Sequence, residues 1–331
     1  MKKLLAMLLA SMMIIGLVAG CGSSPAPAAG EGTTAEDPMA TGDASKDDPL
    51  NQDDIGEKEI LVVSFGTSYN DSRVATIGGI ENAIKAEYEK DGWSVRRAFT
   101  SDIIINHVKE RDGEVIDSVK EALDRARANG VKELVVQPTH LMSGAENQEL
   151  KNILADYSED FKISIGEPLL TSDDDYNRVA QILVDVTKEF QADDTAIVFM
   201  GHGTPADNET VNPADSNKTY TKIQDALTKA GGKNYYVGVV EEDIEGLSLP
   251  FVIDKVKAGG EYKKVVLRDM MVVAGDHANN DMADLDDPES WASQFGAEGY
   301  EVETVLEGLG QVPEIQKIYV EHCKAAIDAL K

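Results

Sequence analysis

Short runs rich in β-branched residues alternate with longer amphipathic stretches, and this alternation constrains the fold of the chain more than any other feature. Eight such runs follow one another, at 60–63, 95–98, 133–136, 163–165, 196–200, 235–240, 265–271 and 302–306. Between them, segments such as 115–129 carry apolar residues at spacings of three and four, as amphipathic helices do. Strands that alternate with helices form parallel sheets covered on both faces. The sequence therefore predicts an α/β fold with two parallel four-stranded sheets flanked by helices.

The two halves of the chain carry similar turns after corresponding strands. The first predicted strand ends in Ser64-Phe65-Gly66-Thr67 and the fifth in Gly201-His202-Gly203-Thr204. The third strand runs into residues 137–144 and the seventh into 271–277. Similar turns at matching places in two halves indicate a duplicated α/β unit.

This duplication sets the predicted domain boundaries. We expect a first α/β domain over residues 59–191 and a second over 192–312, the second carrying the metal site described below. A last helix over 313–331 is expected to pack back on the first domain, and Pro313 suits its first turn.

The first 20 residues have the pattern of a bacterial export signal. Lys2 and Lys3 precede an apolar stretch at 4–18 that is too short to span a bilayer comfortably. Small residues then lead directly into Cys21, as in lipoprotein signals, where the cysteine is lipidated and becomes the mature N-terminus. The alternative is an ordinary secretory signal with a chance cysteine. Both interpretations predict an extracytoplasmic protein, and the first predicts a lipid anchor on the cell membrane.

Composition changes again between the signal and the first strand. Residues 21–58 are rich in Pro, Ala, Gly, Thr, Asp and Glu and poor in large apolar side chains, so they are predicted to be a disordered tether. The net charge of −29 disfavours binding to nucleic acid and to anionic lipid headgroups. The lipid on Cys21 is therefore the predicted contact with the membrane. The second cysteine, Cys323, is predicted to be a core residue, which excludes a disulfide framework.

Three polar residues follow successive strands of the second half. His202 lies between two glycines after the fifth strand, Glu241 comes directly after the sixth, and His277 follows the seventh after Gly275-Asp276. Ligands of open parallel sheets bind at the carboxyl ends of strands. Two neutral imidazoles and one carboxylate can hold a divalent first-row metal with coordination positions left open. Singly, each histidine could instead be a hydrogen-bonding turn residue, and Glu241 could belong to a solvated acidic loop.

The sequence around these residues resembles the anaerobic sirohydrochlorin cobaltochelatases, which are related to the ferrochelatases. The similarity extends from about residue 60 to the C-terminus and is carried by the segments 61–69, 96–101, 199–204, 273–282, 299–302 and 308–310. The segment around His277 is highly specific, whereas a glycine-flanked histidine alone would not be.

The resemblance implies a tetrapyrrole cleft between two similar domains. It also implies that His202 and His277 bind the metal and accept protons, and that Glu241 is the glutamate on the metal side. The activity implied is that of a lyase of cobalamin biosynthesis, which inserts Co²⁺ into sirohydrochlorin or a related tetrapyrrole without redox chemistry. Fe²⁺, Ni²⁺ and Zn²⁺ are the alternative substrate metals.

Two segments depart from the family pattern beside the expected site. After Glu241 the chain continues as residues 242–246, longer and more acidic than the Gly-Tyr-Pro-like turn of the family. Arg268 and Asp269 stand where a proline-containing approach to Met271 is expected. Both departures bear on the choice of substrate and on turnover.

An anionic substrate requires a cationic or hydrogen-bonding lining, because sirohydrochlorin is a polycarboxylate. The candidates for substrate binding are Arg73, Arg96, Arg97 and Thr204. His140 ends the third strand and could face the cleft or bind a separate haem, but we interpret it as a structural turn histidine and predict no haem.

Other functions fit the same residues. A non-catalytic lipoprotein that binds metal, haem or a corrinoid for an uptake system, with a transporter as partner, is the main alternative. A metallohydrolase that uses the same ligands to activate water is the second. A homo-oligomer is compatible with either.

Overall fold

The computed structural model describes residues 42–330 and contains two parallel sheets of four strands each. The strands of the first sheet are β1 Lys58–Ser64, β2 Ser94–Phe99, β3 Glu133–Pro138 and β4 Lys162–Ile165. Those of the second are β5 Thr195–Gly201, β6 Tyr235–Val239, β7 Lys264–Asp269 and β8 Glu301–Val305. The spatial orders are β2-β1-β3-β4 and β6-β5-β7-β8, so the two sheets have equivalent topologies. The predicted fold class is confirmed.

Apart from α11, which follows β8, the helices of the described residues lie between consecutive strands, as parallel sheets require. They are α1 Asn70–Ala75, α2 Ile77–Tyr88, α3 Asp102–Asp112, α4 Val119–Ala128, α5 Ala145–Ala155, α6 Asp173–Val186, α7 Pro213–Ser216, α8 Lys218–Lys229, α9 Leu249–Gly259, α10 Trp291–Ala297 and α11 Pro313–Ala329. Helix α4 shows why such segments are helical. Ser118 and Glu121 form a capping box at its start, and its apolar residues at spacings of three and four are buried.

Strand register brings the carboxyl ends of the central strands to one level in each sheet. In the first sheet, Val63 of β1 pairs with Ala98 of β2 and Pro138 of β3. In the second, Met200 of β5 pairs with Gly238 and Asp269. The turns that leave β1, β3, β5 and β7 therefore start at matching heights, which is where ligands of such sheets bind.

Helix α11 lies on the first half of the molecule. The Tyr319 hydroxyl donates to the backbone carbonyl of Thr139 at 2.9 Å, and the Tyr88 hydroxyl of α2 donates to the Val320 carbonyl at 2.8 Å. Cys323 is fully buried in this interface, as a core residue should be.

The prediction of a disordered tether over 21–58 is wrong for its described part, residues 42–57. Leu50 and Ile55 are buried, and the Arg97 amide of the edge strand β2 donates to the Leu50 carbonyl at 3.2 Å. The side chain of Asp47 is also buried, between two arginines described below. Burial of the side chains of Asp47, Leu50 and Ile55 therefore orders a segment whose average composition is polar.

The predicted signal peptide at 1–20, the lipidated Cys21 and the rest of the tether up to residue 41 lie outside the described residues. Within residues 42–330, no helix combines the length and the hydrophobicity that crossing a bilayer would demand.

Candidate active site

A cavity of about 480 Å³ lies at the carboxyl ends of β1, β3, β5 and β7. The first half contributes residues 64–68 and 139–142 to its walls, and the second half contributes 202–205 and 271–273. Because corresponding turns of the two sheets face the same space, the cavity lies between the halves, where the resemblance implied a cleft.

The turn after β5 holds His202 in the cavity wall. A side chain on Gly201 would collide with the Tyr220 ring at 2.3 Å, and Gly203 adopts a φ of +96°, so both positions require glycine. The Tyr220 hydroxyl accepts a hydrogen bond from the Gly203 amide at 3.0 Å. His202 Nδ1 lies 2.9 Å from the Gly203 carbonyl oxygen, which can only accept, so Nδ1 carries the proton. The free lone pair of His202 is therefore on Nε2.

His277 is oriented by a carboxylate one helical turn further along the chain. It precedes a π-helical turn at Ala278–Met282, and its Nδ1 lies 2.6 Å from Asp281 Oδ2. That hydrogen bond, reinforced by the charge of Asp281, raises the pKa of His277 against the opposing effect of burial. A carboxylate behind a histidine fixes its tautomer and increases its basicity, as in many metal sites.

The three predicted metal ligands lie side by side. The rings of His202 and His277 meet edge to face with centroids 4.7 Å apart, and His202 Nδ1 is 3.8 Å from Glu241 Oε1. The charge of Glu241 also contributes to the raised pKa of His277. However, within residues 42–330 no three His, Cys, Asp or Glu side chains are arranged as a ready metal site. The side chains are adjacent, but their ligand atoms do not point to a common centre.

The three arginines predicted to bind substrate do not do so, which corrects that prediction. All three are fully buried and paired with carboxylates: Arg73 with Asp47 and Glu114, Arg96 with Glu59 and Asp117, and Arg97 with Asp47 and Glu81. Buried guanidinium groups with several carboxylate partners have no face left for a ligand. These partners are distant in sequence, so the pairing could not be read from the chain.

Thr204 lines the cavity, but its amide and hydroxyl are hydrogen-bonded to neighbouring residues. Its amide donates to Asn217 Oδ1 at 2.8 Å, and its hydroxyl is 2.7 Å from Ser216 Oγ. Its role in binding substrate stays a prediction.

His140 lies in the cavity wall rather than in a hydrogen-bonded turn. Neither ring nitrogen has a hydrogen-bond partner, and burial lowers the pKa of His140 to about 4. Its Nε2 is 3.9 Å from Oε2 of Glu146, a cavity-lining residue whose side chain is 48% exposed. Desolvation, and then the charge of Glu149, raise the pKa of Glu146 to about 7.

A model of the family described as cobalt chelatase (CbiK) matches residues 58–328, most of the chain. This chain belongs to the cobalt chelatase family. It is 33% identical over 274 residues to the sirohydrochlorin cobaltochelatase of Salmonella typhimurium, an alignment that covers 82% of this chain and 97% of the relative. It is 30% identical over 277 residues to sirohydrochlorin cobaltochelatase CbiKC of Nitratidesulfovibrio vulgaris, covering 83% and 92%.

Solved structures support the same fold. SirB from Bacillus subtilis, determined with Fe³⁺, aligns with a TM-score of 0.54 at 14% identity, over 82% of this chain and 97% of that one. At that level of identity the likeness concerns the fold alone.

The two departures from the family pattern have structural explanations in this cobalt chelatase. Asp269 ends β7 fully buried, and desolvation raises its pKa well above the usual range. Its Oδ1 accepts the Met271 amide at 2.9 Å, which fixes the turn leading to His277. Arg268 pairs with Glu307 at 3.0 Å. In the loop after Glu241, Asp243 adopts a φ of +60°, so this loop is bent as well as acidic.

The sequence-based prediction missed three residues of the candidate site. Asp281 was signalled by its spacing of four from His277, which places the two side chains on one face of a helical turn. Tyr220 and Glu146 gave no such signal, because they reach the cavity from α8 and α5 through the tertiary fold.

Proposed function

We propose that this cobalt chelatase inserts Co²⁺ into sirohydrochlorin or a closely related tetrapyrrole. The observation that carries the proposal is the pair of imidazoles, His202 and His277, with ring centroids 4.7 Å apart in the wall of a cavity between the two halves. The names of the relatives from Salmonella typhimurium and Nitratidesulfovibrio vulgaris support the choice of metal and macrocycle.

The donor set suits a metal that must be passed on. Co²⁺ exchanges water and protein ligands for four ring nitrogens, while two pyrrole N–H protons leave. Imidazole and carboxylate bind Co²⁺ without the strong retention of thiolates. Since the side chains of His202, Glu241 and His277 are adjacent but are not locked around a common centre, the protein can hold the ion and still release it.

The cavity walls suit a flat conjugated ring. Phe65 exposes 47% of its surface there, beside Leu141, Met142 and Val272. Of the cavity-lining residues within 42–330, none is Lys or Arg, so the carboxylates of the substrate are expected to stay toward water at the cavity mouth.

The location is part of the proposal. We place the enzyme outside the cytoplasm, anchored by lipid on Cys21, because an apolar stretch preceded by Lys2 and Lys3 leads into small residues and a cysteine. In a cell fractionation of the producing bacterium, wild type should sediment with membranes and Cys21→Ala should be released. A Cys21→Ala protein that stays with the membranes would contradict the anchor.

Metal insertion is tested directly by mixing the full chain with sirohydrochlorin and Co²⁺ and following the visible spectrum. The proposal predicts insertion well above the rate in buffer, with Fe²⁺, Ni²⁺ and Zn²⁺ compared under the same conditions. A protein that binds both macrocycle and metal but inserts no faster than buffer with any of them would instead be a binding lipoprotein for uptake.

A further inference from the structure

Residues 42–57 form a strap that lies ahead of the region shared with the family. The family model begins its match at residue 58, yet this segment is folded against the first sheet. The Leu50 carbonyl accepts the Arg97 amide of β2 at 3.2 Å, and the Ile55 carbonyl accepts a serine hydroxyl of the same strand. Because β2 is an edge strand, the strap covers backbone groups that face away from the sheet. The strap is therefore an ordered addition to the chelatase domain.

Asp47 is the residue through which the strap enters the interior. Its side chain is 2% exposed, and its carboxylate accepts hydrogen bonds from Arg73 at 2.6 Å and from Arg97 at 2.6 and 3.0 Å. Burial acts to raise the pKa of Asp47, but the hydrogen bonds and charges of Arg97 and Arg73 outweigh it, so the pKa is lowered. An ionised carboxylate between two guanidinium groups fixes the orientation of both.

Arg73 carries this constraint to the cavity wall. Its Nη1 donates to the Thr67 carbonyl at 3.0 Å. Thr67 belongs to the turn 64–68, which lines the cavity and presents the half-exposed Phe65. Since a guanidinium group is planar and rigid, the bond from its Nε to Asp47 also sets the direction in which Nη1 points. Two consecutive hydrogen-bonded contacts thus link the strap to the cavity turn.

We propose that Asp47 is a positioning residue for tetrapyrrole binding, which acts through Arg73 to hold the turn 64–68 in the conformation that presents Phe65 to the ring. The proposal rests on the proposed function, which supplies sirohydrochlorin as the ligand. Asp47 does not line the cavity, so its effect on the ligand is indirect. The strap is then part of the substrate site, although it precedes the region that the family model matches.

The second carboxylate on Arg73 shows why Asp47 is the one that sets the geometry. Glu114 Oε2 lies 3.1 Å from Arg73 Nη2, and its side chain is 17% exposed. A carboxylate in contact with water attracts a guanidinium group less strongly than a buried one. Without the charge of Asp47, Arg73 is expected to turn toward Glu114 and to loosen its bond to the Thr67 carbonyl.

Asp47→Asn in the full-length protein tests the proposal, at a temperature where circular dichroism shows that the variant is folded. The affinity for sirohydrochlorin, measured by fluorescence quenching without metal, should fall roughly three- to tenfold because the turn is held less firmly. The affinity for Co²⁺, measured by calorimetry, and kcat at saturating sirohydrochlorin should stay within about twofold. Such a split is expected because His202 and His277 lie in the other half.

Ile55→Ala is the matched control for loss of stability. Ile55 is buried in the same strap, but it packs with Leu123 of α4, on one side of the first sheet. Arg97 meets Glu81 of α2, which packs on the opposite side. Ile55→Ala should therefore lower the urea midpoint and still bind sirohydrochlorin as wild type does. An equal loss of affinity in Asp47→Asn and Ile55→Ala would make the strap a structural element only.

Arg73→Lys is a second variant that keeps the positive charge beside Asp47 and Glu114. An ammonium group lacks the planar fork that bonds Asp47 and the Thr67 carbonyl at the same time. Arg73→Lys should therefore reproduce the loss of sirohydrochlorin affinity, and it carries the test if Asp47→Asn does not fold. Wild-type affinity in Arg73→Lys would overturn the proposal.

A double-mutant cycle with Phe65→Ala tests whether Asp47 acts through the turn. With the Phe65 ring removed, Asp47→Asn should change the sirohydrochlorin affinity by less than about twofold, whereas independent effects would multiply. Multiplied effects would contradict the assigned route.

Failure of this proposal can be told apart from failure of the proposed function. Wild type that inserts Co²⁺, together with Asp47→Asn of unchanged sirohydrochlorin affinity, would overturn the role of Asp47 alone. Wild type that neither binds sirohydrochlorin nor inserts Co²⁺ would remove the proposed function, and the role of Asp47 with it.

Discussion

The two halves of this cobalt chelatase share a topology but use the ends of their strands differently. The turns after β1 and β5 both contain a left-handed glycine, Gly66 at φ +104° and Gly203 at φ +96°. The residue before that glycine faces the cavity in both, as Phe65 in the first half and His202 in the second. One unit therefore presents an apolar surface and the other an imidazole from the same backbone position.

The halves also differ in how exposed the charged and titratable side chains around the cavity are. The first half buries arginines with carboxylates, and Asp47 receives hydrogen bonds from Arg73 at 2.6 Å and from Arg97 at 2.6 and 3.0 Å. Arg73 also donates to the Thr67 carbonyl at 3.0 Å, so this network holds a cavity-lining turn. In the second half, His202 and His277 stay 45% and 41% exposed. The first half is built as a fixed wall, and the second as a site with accessible ligands.

The largest expected effect is on the second half. His202→Ala removes a metal ligand and a proton acceptor, so insertion should fall to the rate in buffer. Tetrapyrrole binding should persist, because Phe65 and the other apolar wall residues remain. Insertion followed by visible absorbance, with ring binding followed by fluorescence, checks both. His322→Ala, on α11 and outside the cavity lining, is the control. Substantial insertion by His202→Ala would contradict the proposed division between the halves.

Replacing Asp47 tests whether its buried network stabilises the first half as a rigid cavity wall. Asp47→Asn leaves two buried arginines without their shared charge, so the free energy of unfolding should fall by about 3–5 kcal/mol. Asp54→Asn, at an exposed position of the same segment, should change it by less than about 0.5 kcal/mol. Urea titration of both variants makes the measurement. Equal stability of the two would mean that the Asp47 network contributes nothing to holding the wall.

His140 makes the first half sensitive to acid. Its folded pKa of about 4 lies below the usual 6.5, so the unfolded state binds more protons between these values and stability falls as pH drops through that window. The His140 contribution should fall by about 2 kcal/mol between pH 7 and pH 5. The raised pKa of Glu146 has the opposite effect, since the folded state holds its proton more tightly below pH 7. The clean readout is therefore the stability difference between wild type and His140→Gln, from urea titrations at both pH values, and a constant difference would contradict a neutral buried imidazole.

The smallest effect is expected at Phe65. Phe65→Ala should weaken tetrapyrrole binding by about tenfold, or ~1.4 kcal/mol, through loss of aromatic contact with the ring. The affinity for Co²⁺ should be unchanged, because the metal ligands lie in the other half. Fluorescence quenching and calorimetry measure the two affinities. A loss of Co²⁺ affinity would contradict the assignment of metal binding to the second half alone.

Much of the fold could be predicted from sequence because buried parallel strands leave a strong local signal. β1 and β5 are almost continuous runs of buried apolar residues, and their turns repeat. His202, Glu241 and His277 could be predicted to lie together because each comes after the carboxyl end of a strand of one sheet, with His277 farther along the chain from its strand than the other two. Arg73, Arg96 and Arg97 were misassigned because their partners come from residues far away in the chain. Glu146 was missed because its raised pKa arises from a cavity that only the folded chain forms.

The central claim is that the second half holds the metal while the first half forms the opposing wall. Anomalous scattering from a crystal of the full chain soaked in Co²⁺ tests it most directly. We predict a cobalt peak about 2.0–2.2 Å from Nε2 of both His202 and His277, with Glu241 turned toward it. A peak bound instead by His140 and Glu146, with none at the histidine pair, would contradict the account.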